Sequence, residues 1–352
     1  MRRAIVSALV ALTLGSAPSG AQDWATAEVC TVDEAVVDAS VFLPDGLAAL
    51  ETHASTIPNA NGKLWRITSA DGAVSHLWGT YHSSDPLILA LPEAVTAAID
   101  AARVVAVEVD YTFKSRDDYR RSQDMEGRFK EASDPFAFTP GDGAIAGLSP
   151  EISYWIRDRA IELGWTEDVD LILSLPGIAE MLLADPCEDF TQGILPIQDD
   201  YVLLLGRLAG TEILGLEDPD EFVADLGNNE ETARAIIATY AAYLKPMESN
   251  AERATGFALY LQGRLGVMEA WDHAFQRQIY GPAGVETQQK TDAYLLAFRN
   301  ERFLERVADD LAKGGVVIAV GAAHIPGDTG LVALLRKGGY TVERIPLPGE
   351  VP

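Results

Sequence analysis

Cysteine, histidine and positive charge are all scarce in this chain, and each shortage narrows its chemistry. It has two cysteines, Cys30 and Cys187, and five histidines. Two thiols with no histidine cluster around them do not make a structural zinc site. Neither has a base beside it in sequence that would mark a thiol nucleophile. Lys and Arg total 27 against 53 Asp and Glu, a net charge of −26. So acidic a surface repels phosphate backbones and anionic headgroups, which argues against nucleic acid as a partner. Beyond the first residues no apolar run is long enough to cross a bilayer, so stable membrane insertion is not expected. Several catalytic templates are also missing. There is no Gly-x-Ser-x-Gly elbow and no His-Glu-x-x-His. Gly141-Asp142-Gly143 lacks the lysine and preceding strand of a phosphate-binding loop.

What is present begins with an export signal. Arg2 and Arg3 precede an apolar run, Ala4 to Leu14, and Ser19-Gly20-Ala21 supplies small residues for cleavage after Ala21. The mature chain is expected in an oxidising compartment, most simply a bacterial periplasm. There Cys30 and Cys187 either pair or remain two unrelated buried thiols. A bridge across so long a loop contributes about 4–5 kcal/mol in the loop-entropy account.

Residues 22–62 form a weakly patterned lead-in, with a helix near Pro44–Thr52. From Leu64 the pattern sharpens. Leu64–Thr68 alternates like a strand, Asp71-Gly72 signals a hairpin turn, and Ser75–Thr80 is the returning strand. Pro92–Ala102 reads as a helix. Val104–Val109 is a β-branched run of the kind buried on both faces of a sheet. Arg116–Leu183 and Asn228–Ile279 carry helical spacing, broken at Gly164, Pro176 and Pro246. Ile197–Ala209 reads as a helix, Glu212–Glu217 as a strand, and 287–313 as one long helix stopped by Gly314-Gly315. Val316–Val320 is a buried strand, Gly327–Lys337 a helix and Tyr340–Ile345 a closing strand. The expected fold is α/β: a central mixed sheet built from two strand–Gly-x-x-His–helix–strand repeats, with a large, mostly helical insertion.

Those repeats carry Gly79–His82 and Gly321–His324. Ligands of open α/β sheets bind beyond the carboxyl ends of the strands. Four apolar strands end in polar residues: His82, Glu108 with Asp110 on the same face, Glu217 and His324. Two imidazoles and a carboxylate can hold Zn²⁺, Mn²⁺ or Fe²⁺ and activate a bound water, with Glu217 or Asp110 as general base. Gly79 and Gly321 are expected to let the chain turn sharply at the strand ends. Singly, Gly-x-x-His is a weak pattern, and a strand-end histidine is commonly a structural residue. His76 reads as packing within its strand and His53 lies in the lead-in. Glu269 and His273 have a metal-capable spacing but read as a helix-surface pair.

Leu77–His82, Val107–Asp110 and Val320–His324 together resemble the TraB/GumN family, which is related to the Tiki proteases and more distantly to erythromycin-esterase-like and ChaN-like proteins. Asp200 ahead of Leu203-Leu204-Leu205, Gly215-Leu216-Glu217, Arg299-Asn300, Gly338-Gly339-Tyr340 and Val342-Glu343 extend the resemblance. It implies one domain over 63–346 with a helical insertion over about 115–290. It also implies a site in which His82, Glu108 and His324 hold a metal, Mn²⁺ or Co²⁺ in the Tiki branch, and Glu108, Glu217, Arg299 and Asn300 act in catalysis. Gly79, Gly321, Asp110 and Asp200 would line the substrate. Arg299 has two readings, an oxyanion clamp or a solvated helix charge beside Arg302 and Arg306. The implied activity is metal-dependent, peptidase-like cleavage of a peptide or amide bond, with a peptide or a small molecule as the expected partner. The alternative is a non-catalytic periplasmic protein that binds a peptide, a small ligand or haem, the last suggested by the ChaN-like relatives.

Overall fold

The computed structural model describes residues 30–42, 46–110, 145, 148–162, 173–183, 185, 187, 197–244 and 250–352. The expected signal segment, the break at Gly164, the break at Pro246 and much of the Arg116–Leu183 region lie outside the described residues.

Six strands form one mixed sheet: β1 (Leu64–Thr68), β2 (Val74–Thr80), β3 (Val104–Val109), β4 (Glu212–Glu217), β5 (Val316–Gly321) and β6 (Thr341–Arg344). Their order is β4-β3-β5-β2-β1-β6. The four strands from β4 to β2 run parallel; β1 pairs antiparallel with both β2 and β6, so it alone is reversed in direction. The continuous runs lie where a parallel sheet needs them. All six residues of β5 are buried, as are the first four of β3. The two Gly-x-x-His units therefore begin side by side on β2 and β5, and diverge afterwards. The first returns as β3, parallel to β5; the second returns as β6 on the antiparallel edge.

The helices are α1 (Leu47–Ala54), α2 (Pro86–Leu89), α3 (Glu93–Asp100), α4 (Pro150–Glu162), α5 (Leu175–Leu183) and α6 (Gln198–Ala209). After them come α7 (Pro219–Asn228), α8 (Glu230–Ala241), α9 (Asn250–Leu261), α10 (Leu265–Tyr280), α11 (Pro282–Asp292), α12 (Arg299–Lys313) and α13 (Leu331–Lys337). The single helix predicted over 287–313 is in fact α11 and α12 joined by a π-helical turn, Ala293–Phe298. Wider turns of this kind shift the helical phase and recur at functional sites. Here the turn ends at Arg299. Phe303, Val307 and Leu311, four residues apart, then bury one face of α12 against the sheet. The predicted helix over Gly327–Lys337 starts only at Leu331, because Gly327–Gly330 is taken up by a turn.

The insertion has its own core. Ile156, Ile178, Phe222, Ile236 and Leu295 pack together there, apart from the sheet. Cys30 and Cys187 form a disulfide that ties the lead-in to it. Among the described residues no helix is long and apolar enough to cross a membrane.

Candidate functional site

The parallel register sets the site. Thr80 lies beside Gly321 and Val109 beside Glu217, so the ends of four strands share one sheet edge. Glu108 is its hub. One carboxylate oxygen, Oε1, accepts from the Gly321 N–H at 2.7 Å and lies 3.6 Å from His324 Nε2. The other, Oε2, accepts from Arg299 Nη2 at 2.8 Å. Burial opposes ionisation of Glu108, but Arg299, the two histidines and the Gly321 N–H outweigh it and hold the carboxyl well below its usual range.

His324 is 3% exposed and its Nδ1 is 2.7 Å from Asn300 Oδ1. The Asn300 amide donates through Nδ2 to the Thr329 carbonyl at 2.9 Å, which fixes Oδ1 as the acceptor. His324 therefore carries its proton on Nδ1 and points a bare Nε2 lone pair at Glu108. Burial pushes its pKa down to about 4, against the pull of Glu108, so the ring is neutral at pH 7. Two acceptors facing each other at 3.6 Å call for a cation or a proton between them.

His82, half exposed, places Nδ1 2.9 Å from Asp199 Oδ2, and Asp199 raises its pKa well above that of a free imidazole. The Asp199 Oδ1 accepts from Thr80 Oγ1 at 2.6 Å. Both histidines thus have Nδ1 held by a side-chain oxygen, the arrangement that fixes ring angle at metal sites, and a metal at His82 Nε2 would displace the proton that Asp199 helps keep on the ring. Among the described residues, His82, Glu108 and Asp199 form the group whose ligand atoms lie within 4.8 Å of one another. His324 approaches through Glu108 and is not in that group, which differs from the His82–Glu108–His324 set expected from the resemblance.

The glycines do something other than turn. Neither has a positive φ. A Cβ on Gly321 would stand 3.0 Å from His82 Nε2 and 3.3 Å from Glu108 Oε1, so its absence makes room for the cluster. A Cβ on Gly79 would meet Ile325 Cδ1 at 2.6 Å and Ala322 Cα at 3.0 Å, so that position brings β2 close to the second turn.

Arg299 is no solvated helix charge. Its guanidinium is largely buried and bridges Glu108 to Glu217, with Nη2 2.6 Å and Nε 2.9 Å from Glu217 Oε2. The buried Glu217 Oε1 has no hydrogen-bond partner among the described residues. Glu180, on α5, senses both Glu217 and Arg299, and burial raises its pKa. Asp110 Oδ1 lies 3.3 Å from Arg207 Nη2 on α6. Asp200 is not the residue that meets His82; burial and then the Asp199 charge raise its pKa.

Sequence reasoning missed Asp199 and Gln198. Gln198 is buried, accepts from Tyr81 N and Tyr260 OH, and donates to the Ile88 carbonyl. An Asp-Asp pair in the first turn of a predicted helix was the available signal, but the helical phase that chooses between the two carboxylates comes from packing. His53 is exposed on α1. His76 lies in β2, where burial and Arg66 lower its pKa. His273 pairs with Asp292 at 3.2 Å.

The model of the TraB/PrgY/gumN family matches residues 63–344. The chain belongs to that family. No match was found among curated proteins or among solved structures. In this TraB/PrgY/gumN chain the matched span includes both Gly-x-x-His turns, Glu108, Asp199, Glu217 and Arg299.

Proposed function

We propose that this chain is an exported, metal-dependent hydrolase of peptide or amide bonds. The observation that carries the reading is the pair of imidazoles with anchored Nδ1 atoms, one of which turns an unprotonated Nε2 toward the Glu108 carboxylate. His82 through Nε2, Glu108 and His324 would hold a divalent ion such as Mn²⁺, Co²⁺ or Zn²⁺, with Asp199 anchoring His82 from Nδ1. A bound ion of this class lowers the pKa of a coordinated water and polarises a carbonyl.

The other residues divide the remaining work. Asn300 positions His324 and has its own polar atoms engaged, which makes it a positioning residue. Arg299 sets Glu108 and Glu217 side by side and balances their charge. Glu217 keeps one buried oxygen unpartnered among the described residues, and that oxygen would take and return the proton. Export is supported by the basic and apolar start of the chain and by the Cys30–Cys187 bridge.

The test is metal analysis of the purified chain and of His82→Ala, with cleavage of a peptide library after chelation and after return of Mn²⁺, Co²⁺ or Zn²⁺. The reading expects stoichiometric metal in the wild type, loss in the variant and metal-dependent cleavage. A chain that retains no metal and cleaves nothing is a binding protein instead, and a Soret band on purification would make its ligand haem.

A further inference from the structure

Beside the Glu108 cluster lies a cavity of about 400 Å³, walled by α10, α11, the π-helical turn and the Ala322-Ala323 turn. Its volume is within the range of small-molecule sites. One end is acidic. Glu269, Asp272 and His273 come from α10, and Asp292 from the end of α11. His273 is bound to Asp292, and Gln288 Nε2 donates to the same carboxylate at 2.8 Å. Two acceptors remain unanswered among the described residues. Gln288 is 5% exposed and lines the cavity, and its Oε1 has no partner; the buried Asp272 Oδ1 has none either. Burial and the Asp292 charge push the Asp272 carboxyl up to about 7 against the pull of His273, a single imidazole that Asp272 shares with Asp292 and Glu269. The other end is apolar, with Leu265, Met268, Leu296 and Pro326.

We propose that this cavity binds an organic cation, an ammonium or guanidinium group carried on an aliphatic stem. Buried acceptors without donors need a ligand that donates, and carboxylates at the same end make that donor cationic. The apolar wall takes the stem. A bare metal ion fits less well. Among the described residues, the group with three ligand atoms inside 4.8 Å is His82, Glu108 and Asp199, and these acids are not part of it.

The cavity also adjoins the cluster. Asn300 lines it and holds His324, and Tyr240 lines it while sensing the charges of Arg299 and Glu108. Lysine and arginine side chains have this chemistry, so a hydrolase built on the cluster would prefer a basic residue next to the bond it cuts. That last step alone rests on the proposed hydrolase reading.

The experiment is calorimetric titration of the full chain with cadaverine, with agmatine and with 1-pentanol as the neutral stem. The expected result is saturable 1:1 binding of one or both amines and none of the alcohol. The Glu269→Gln/Asp272→Asn double variant should bind about tenfold more weakly or worse. His82→Ala, outside the cavity, should bind the amines as the wild type does. Equal binding of pentanol, no saturable binding of either amine, or unchanged affinity in a folded double variant overturns the proposal. If the double variant does not fold, the comparison of amine with alcohol on the wild type still decides. Amine binding without metal or cleavage would sink the hydrolase reading and leave the pocket standing; metal and cleavage without amine binding would do the reverse.

Discussion

Asp199 Oδ2 stands 2.9 Å from His82 Nδ1, across a sequence separation of 117 residues. The contact fixes which ring nitrogen of His82 is left for a ligand. Asp199→Asn keeps the shape but lets the amide present either a donor or an acceptor to Nδ1. Metal affinity, read by titration of the chelated protein, is expected to fall by about 10–100-fold with the melting temperature little changed. Wild-type affinity in this variant would remove Asp199 from the site's machinery.

The two motif glycines should separate function from stability. Gly321→Ala puts a methyl between His82 Nε2 and Glu108 Oε1, at 3.0 and 3.3 Å, on a backbone that any residue can adopt. It should fold and fail to retain metal. Gly79→Ala drives a methyl into Ile325 and the Ala322 backbone instead. It should lose about 1–3 kcal/mol of stability. Denaturant melts and metal content of both variants check the contrast, and a reversed pattern would be fatal to it.

The sheet and the polar strand ends were legible because both depend on short-range pattern. Val104–Val107 and Val316–Val320 are buried runs, and a parallel sheet places the residues that follow them at one edge. Glu108, Glu217 and the two histidines followed from that rule alone. What could not be read depends on helical phase and long-range packing. Whether Asp199 or Asp200 faces His82 is settled by how α6 lies on β3. The π-helical turn over Ala293–Phe298 leaves no mark in periodicity, since one wider turn looks like ordinary helix in a sequence. Gly321 differs from the expected sharp turn: its φ is −48°, and what its missing Cβ leaves is space beside His82 and Glu108.

Arg299→Met would leave Glu108 and Glu217 buried beside each other without the guanidinium they share. Breaking a buried pair by removing one partner costs about 3–5 kcal/mol. The carboxylates can escape that cost by taking up a proton, so the destabilisation should be larger at pH 8 than at pH 5. Adding Glu217→Gln should return part of the loss. Urea melts of the three proteins at the two pH values test this, and equal losses at both would mean that the charges are already relieved by water.

Reduction of the one disulfide should cost the fold measurably. The Cys30–Cys187 bridge closes a separation of 157 residues and joins the lead-in to the insertion. Loop entropy gives such a bridge about 5 kcal/mol, and loss of a native disulfide commonly costs about 2–5. The Cys30→Ser/Cys187→Ser double variant should melt lower by a corresponding amount and match the reduced wild type. A double variant as stable as the oxidised protein would show that the lead-in docks without help.

Asp272 gives the fold a pH dependence whose sign is opposite to that of a salt-bridged carboxylate. Its folded pKa is raised to about 7 by burial and Asp292, above an unfolded value near 4. The folded chain therefore holds a proton that the unfolded chain has lost, and stability falls as pH rises through that window. The contribution is complete below about pH 4 and gone above about pH 7, and amounts to about 4 kcal/mol at most. Asp272→Asn cannot ionise, so it should match the wild type at pH 4.5 and exceed it at pH 8. An organic cation seated in the adjoining cavity should narrow the gap at pH 8 in the wild type and not in the variant, because it adds positive charge where three carboxylates share the one His273 imidazole. Parallel melting curves for the two proteins across pH 4–9, showing no divergence, would mean that Asp272 is solvated in the native state and that the cavity offers a cation little.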